Sequence, residues 1–161
     1  MNSFDKLYSE NYHKVYRVAL KISGNAENAM DIVQEVFLSL FDKLQNGSEI
    51  IYPGTWLYKV TVNKCYDGLR KQKRFVALEI ASNSEFQEEG VEIQETRQIV
   101  EKALFELHPR ERVLMVLYSE GLSYKEISEA SGVKLQSVGK TISRILEKLE
   151  RKLKRLNDDM Y

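Results

Sequence analysis

Residues 134–148 carry side chains suited to reading a DNA duplex. If they form a helix, Val138, Ile142, Ile145 and Leu149 make one apolar stripe. Ser137, Lys140, Thr141, Arg144 and Lys148 then occupy the opposite face, with Gln136 at its start and Lys134 just before it. That face has amide, hydroxyl and cationic groups and no acid in its first three turns. Gln and Arg make bidentate contacts with base edges in a major groove, whereas Lys, Ser and Thr bond phosphates. Upstream, Ser123-Tyr-Lys-Glu126 has the spacing of a capping box opening a short helix. Ile127 and Ala130 face inward, Gly132 supplies a turn, and Val133 plugs it. A short capped helix, a Gly-containing turn and a second helix make a helix-turn-helix. A helical hairpin with a solvated basic face fits the same pattern.

Trp56, Tyr58, Lys59, Asn63, Tyr66, Arg70, Lys71, Lys73 and Arg74 interleave aromatic and cationic groups along another predicted helix, 56–74. Aromatic faces that stack bases, beside cations that follow a backbone, suit single-stranded or extruded DNA. The alternative is that Trp56 and Tyr66 are core residues and the basic run complements a helix C-terminus. A third set, Asp31, Gln34, Glu35 and Leu38, lies at i, i+3, i+4 and i+7 on one helix face. Paired carboxylates there could bind metal or exchange protons, but neither His nor a second acidic pair is placed to join them. A docking face for a basic partner is the better reading, and an ordinary solvated face is the other.

Other chemistries find little support. Gly139-Lys140-Thr141 matches the end of a phosphate-binding loop, but the required first Gly would fall at 134, which is Lys, and no strand precedes it. Cys65 is the single cysteine, without a His or Cys neighbour, so a small packed residue is expected. His13 and His108 lack metal-ligand spacing; a helix surface and a helix start suit them. No triad, metal set or cofactor motif supports an enzyme.

These residues need helices to position them. Apolar residues at 43% of the 161-residue chain supply a core, and two Pro and eight Gly suit an all-α protein. Phe4 to Ile22 follow helical spacing up to Gly24. Asn25 is placed to cap a second helix bearing Ala29, Val33, Val36, Phe37, Leu40 and Leu44, ended by Asn46-Gly47. Residues 47–54 read as a loop, and Thr55 as the cap of the third helix. Periodicity then fades, and 76–93 reads as an acidic linker between domains at 1–75 and 94–161. Its central sixteen or so residues span about 50 Å when extended. Ile93, Val100, Leu104 and Leu107 resume the pattern, Pro109 suits a helix start, and long final spacing runs from 136 to 156.

The net charge is zero, but its distribution is not even. Residues 1–75 hold 11 Lys/Arg against 8 Asp/Glu, 76–106 hold 2 against 8, and 107–161 hold 11 against 8. Screening acts over about 10 Å, so two basic blocks and an acidic middle each present their own field. One cysteine and the absence of an apolar leader or membrane-length run point to the cytoplasm.

The chain resembles the extracytoplasmic-function (ECF) sigma factors of bacterial RNA polymerase. Asp31-Ile-Val-Gln-Glu-Val-Phe-Leu38, Trp56-Leu-Tyr-Lys-Val-Thr-Val-Asn63 and Asp67-Gly-Leu-Arg70 are similar to the family's region 2. Leu107-His-Pro-Arg-Glu-Arg112, Gly121-Leu-Ser-Tyr-Lys-Glu-Ile127 and Ser137-Val-Gly-Lys-Thr-Ile-Ser-Arg144 are similar to its region 4. The resemblance implies two helical domains and no catalysis. Asp31, Gln34, Glu35 and Leu38 would dock on the clamp helices of the polymerase largest subunit. The 47–54 loop with Tyr52, and Asn63 in the next helix, would capture an extruded base of the −10 element beside Trp56, Tyr58, Lys59, Tyr66, Arg70, Lys71 and Arg74. Lys134, Gln136, Ser137, Lys140, Thr141 and Arg144 would read the −35 element, the same domain would contact the polymerase flap, and an anti-sigma factor would hold the protein inactive. Gly139 stands where the family often has a cation, and Thr141 where Arg is frequent. Glycine inside a helix costs up to about 1 kcal/mol relative to Ala and permits close approach to DNA or a neighbouring helix. A helix-turn-helix regulator acting without polymerase is the alternative; it has no need of the 31–38 face joined to the aromatic, basic helix.

Overall fold

The computed structural model describes residues 3–72 and 91–160. Among the described residues there are seven helices and no strands, in two compact units. Arg74, Lys73 and linker residues 76–90 lie outside the described residues.

The first unit is a three-helix packing of α1 (Ser3–Ser23), α2 (Ala26–Gln45) and α3 (Pro53–Gln72). Gly24 takes φ 73°, a left-handed turn that suits glycine, and Asn25 then caps α2 by accepting from the Asn28 N–H at 3.0 Å. Val15, Val18, Ala19 and Ile22 of α1, Ile32, Val33, Val36 and Leu40 of α2, and Leu57, Val62 and Cys65 of α3 are buried. Each fully buried Val, Leu or Ile contributes about 1.5–3 kcal/mol. Thr61 is buried too; its hydroxyl donates to the Leu57 carbonyl at 2.7 Å. Around this core Phe4, Tyr8 and Tyr12 of α1 meet Phe37 and Phe41 of α2 in edge and stacked contacts.

The start of α3 corrects the sequence reading. Pro53 and Gly54 lie inside the helix, not in a loop, and Thr55 is not its cap. The Trp56 N–H already donates to the Tyr52 carbonyl at 3.1 Å, so the helix begins one turn earlier. Proline is pre-set for a first helical position, where its missing N–H has no partner to lose. The α2–α3 connection therefore shortens to residues 46–52.

The second unit is built on α4 (Val91–Glu106), α5 (Pro109–Ser119), the opening of α6 (Tyr124–Ser131) and α7 (Leu135–Met160). Helix α4 takes in residues 91–93, which the spacing gives to the linker. Within α4 it is Ala103, with Leu107 just after, that is buried, while Val100 is exposed. His108 caps α5, and the Glu111 carboxylate accepts from the His108 N–H at 3.2 Å. The Ser123–Glu126 capping box forms as read: the Glu126 N–H donates to Ser123 Oγ at 3.1 Å and the Ser123 N–H to Glu126 Oε1 at 3.0 Å. Val113, Val116, Leu117, Ile127, Val138, Ile142 and Ile145 are buried, and Leu149, expected in the same stripe, is half-buried. Arg112, also buried, lays its guanidinium over the Phe105 ring at 4.4 Å, a packing role no motif announces.

Candidate nucleic-acid interface

Helix α7 separates its cations by their partners. Lys134, Gln136, Lys140 and Arg144 are exposed at its N-terminal end, and at about 100° per residue Gln136, Lys140 and Arg144 share one face. Ser137 and Thr141 are half-buried at the edge of that face. The Thr141 hydroxyl donates to the Ser137 carbonyl at 2.7 Å, so it is already engaged within the helix. Lys148 does not join this exposed face. Its ammonium donates to Glu111 Oε1 at 2.9 Å, the oxygen that also accepts from His108. Farther on, Lys152 and Arg155 both donate to Glu106 at the end of α4. Glu106 and Glu111 thus tie three cations of α7 into the fold, leaving Lys140 and Arg144, with Lys134, as its forward positive charge.

Partial burial raises the Glu111 pKa. The hydrogen bonds from Lys148 and the His108 backbone, with the nearby positive charges, outweigh it, so the carboxyl titrates below the ordinary value of 4.5.

On α3, Trp56, Lys59, Asn63, Tyr66 and Arg70 fall within about a quarter-turn of one another. Lys59, Asn63 and Arg70 are exposed; Trp56 and Tyr66 are half-buried. The Lys43 ammonium of α2 sits 5.3 Å from the Trp56 ring centroid, so this ring joins the α2–α3 junction while keeping an exposed part. Trp56 is therefore packed in part, and part of its surface stays accessible. Tyr58 stands apart, about 120° round the helix from the centre of the stripe and close to the buried positions Thr61 and Cys65. Lys71 is exposed beside the stripe, and Arg70 pairs with Asp67 at 3.9 Å. Tyr52 stands just before the start of this stripe and is 73% exposed, and its neighbour Ile51, an apolar residue that composition gave no reason to single out, is 77% exposed.

On α2, Asp31, Gln34, Glu35 and Leu38 form one exposed face, and Leu38 is 63% exposed. Phe41, one turn farther on, extends it with an exposed ring edge. Glu35 is not free-standing: Lys64 of α3 lies 3.6 Å from its carboxylate. Among the described residues no group of His, Cys, Asp and Glu could hold a metal, and no helix is long and apolar enough to cross a membrane.

Two family models match this chain: Sigma-70 region 2 over residues 7–75 and Sigma-70 region 4 over 97–149. The RNA polymerase sigma factor SigV of Bacillus subtilis is 32% identical over 136 residues, 82% of this chain and 80% of that protein. The ECF RNA polymerase sigma factor SigE of Mycolicibacterium smegmatis is 34% identical over 154 residues, 89% of this chain. The chain belongs to the ECF sigma factors of RNA polymerase. It spans 59% of the length of SigE, which is the longer protein. The fold agrees: the sigma factor RpoE of Bartonella quintana, solved in complex with the anti-sigma factor NepR, superposes with a TM-score of 0.79 over 96% of this chain and 98% of that one, at 22% identity.

As a sigma factor it is a DNA-binding transcription-initiation protein that brings RNA polymerase to promoters, and not an enzyme. The region 2 match carries α1–α3, with the α2 face and the α3 stripe; the region 4 match carries α5, α6 and the N-terminal half of this sigma factor's α7. A regulator acting without polymerase leaves the region 2 match unexplained.

Proposed function

We propose that the sigma factor divides promoter recognition between its two units. The exposed α2 face of Asp31, Gln34, Glu35 and Leu38, widened by Phe41, docks on the polymerase clamp helices. The α3 stripe from Trp56 to Arg70, with Tyr52 at its head and Lys71 beside it, holds the opened −10 strand: rings stack bases, cations follow the backbone, and Asn63 bonds an extruded base. Lys134, Gln136, Lys140 and Arg144 read the −35 duplex in the major groove, with Ser137 and Thr141 lining the edge. The second unit also meets the polymerase flap, an anti-sigma factor restrains the protein, and it works in the cytoplasm.

The observation that carries this reading is the sorting of cations on α7. Lys148, Lys152 and Arg155 are held by Glu111 and Glu106, whereas Lys140 and Arg144 stand exposed near the N-terminal end. The test is reconstitution. Chain plus core polymerase is expected to give promoter-specific transcripts from genomic templates; duplex binding without any transcript refutes it.

A further inference from the structure

We propose that Tyr124 and Leu135 form an apolar corner that contacts a thymine C5-methyl group in the upstream element, and that Gly139 makes this corner possible. The inference rests on reading the N-terminal end of α7 as the duplex-facing surface.

Gly139 lies in the second turn of α7, where glycine is a poor helix former. Its φ is ordinary, so no left-handed backbone calls for it. Its surroundings do: a Cβ at 139 would stand 3.3 Å from Tyr124 Cε2 and 4.0 Å from Tyr124 Cδ2. The Tyr124 ring therefore packs closely over the glycine, bringing the start of α6 against α7, and an added methyl would push the ring by a few tenths of an ångström. The Ser123–Glu126 capping box fixes the backbone from which that ring projects.

The ring is not buried by this contact. Tyr124 is 47% exposed and Leu135, the first residue of α7, is 53% exposed. Leu135 lies four residues before Gly139, so the two positions are stacked on one helix face. The ring seated over Gly139 and the Leu135 side chain thus lie toward the same face of α7. Gln136 lies about 60° round the helix from Gly139, and Lys140 about 100°. The corner therefore flanks the polar reading face at the end where recognition helices meet base edges. Leu135 has nothing to offer a phosphate, and beside it the Tyr124 ring presents apolar carbon as well as its hydroxyl. In the major groove the thymine methyl is the apolar feature of a base edge, and contact with it separates T from C.

The test uses holoenzyme made from core polymerase and the full chain. Upstream elements are selected from random duplexes, and each thymine is then replaced singly by deoxyuridine, which removes only the methyl group. At one thymine the wild type is expected to lose about four-fold in affinity, the factor that one buried methyl supplies. That loss is expected to vanish in Leu135→Ala, Tyr124→Ser and Gly139→Ala, and to persist in Tyr124→Phe, which keeps the ring. Gly139→Ala remains folded, because alanine is the better helix former and the half-exposed ring can swing aside. A selected element without thymine, no sensitive thymine, or equal sensitivity in all variants overturns the proposal. Failure to select any duplex removes the upstream-reading role of α7 itself, a separate result.

Discussion

Glu111 is a single side chain whose removal tests how α7 is held. One of its oxygens accepts from the His108 N–H at 3.2 Å and from Lys148 Nζ at 2.9 Å, so it closes the start of α5 and ties that start to α7. Glu111→Gln keeps a carbonyl oxygen and removes the charge. Lys148 is 44% exposed at its side chain, so the ion pair is discounted for solvent to about 0.5 kcal/mol. Glu111→Ala also removes the cap, about 1 kcal/mol more. In a unit of this size 1 kcal/mol moves Tm by about 4–8 °C, so Gln lowers it by about 2–4 °C and Ala by about 6–12 °C. The sign of the pH dependence follows from the lowered pKa. A carboxyl whose folded pKa lies below its unfolded value stabilises fully above the unfolded pKa, and this is lost as pH falls through the folded one. The wild-type advantage over Glu111→Gln should hold from neutrality down to about pH 5 and shrink below 4.5. Thermal unfolding of the full chain by far-UV circular dichroism, with Lys148→Met completing a double-mutant cycle, measures both. A coupling of zero between positions 111 and 148, or a Gln penalty unchanged below pH 4, refutes the reasoning.

Asp31→Lys with Leu38→Ala is expected to weaken core-polymerase binding at least ten-fold, on the order of 1.4 kcal/mol, without moving Tm, because both side chains are exposed. Unchanged retention in a pull-down refutes it; Glu35 is the poorer probe, since its reversal would also set two cations against each other at Lys64. Arg144→Ala is expected to reduce upstream-element binding by about 1–3 kcal/mol if it bonds a base edge, and a footprint identical to wild type rules that out.

Short-range signals made most of the helices legible in the sequence. Asn25, Ser123 and Glu126 cap helices within three residues of themselves, so the local pattern found them. The α3 start was missed because Thr55 offered a common cap while Pro53, better placed as a first helical residue, was assigned to a loop. Within the α3 stripe, Lys59, Asn63 and Arg70 sit exposed where helical spacing puts them, but the same spacing turns Tyr58 to the packed side. Periodicity could not say that Lys43 would cover part of Trp56, because that cation comes from the preceding helix.

Helix 7 marks the boundary most clearly. From the sequence alone its apolar stripe, its polar face and the oddity of Gly139 were all evident, because each is a matter of spacing along one helix. Which of its cations stand free was decided only by tertiary packing. Lys148 finds Glu111 across 37 residues and Arg155 finds Glu106 across 49, and whether such charges meet depends on how α4, α5 and α7 cross. Of the two uses that sequence allowed Gly139, approach to DNA or to another helix, the structure displays the second, since the Tyr124 ring packs closely against it. Hydrogen-bond periods and caps act within a turn or two and are written locally; pairing and close approach act through space and appear only when the helices are assembled.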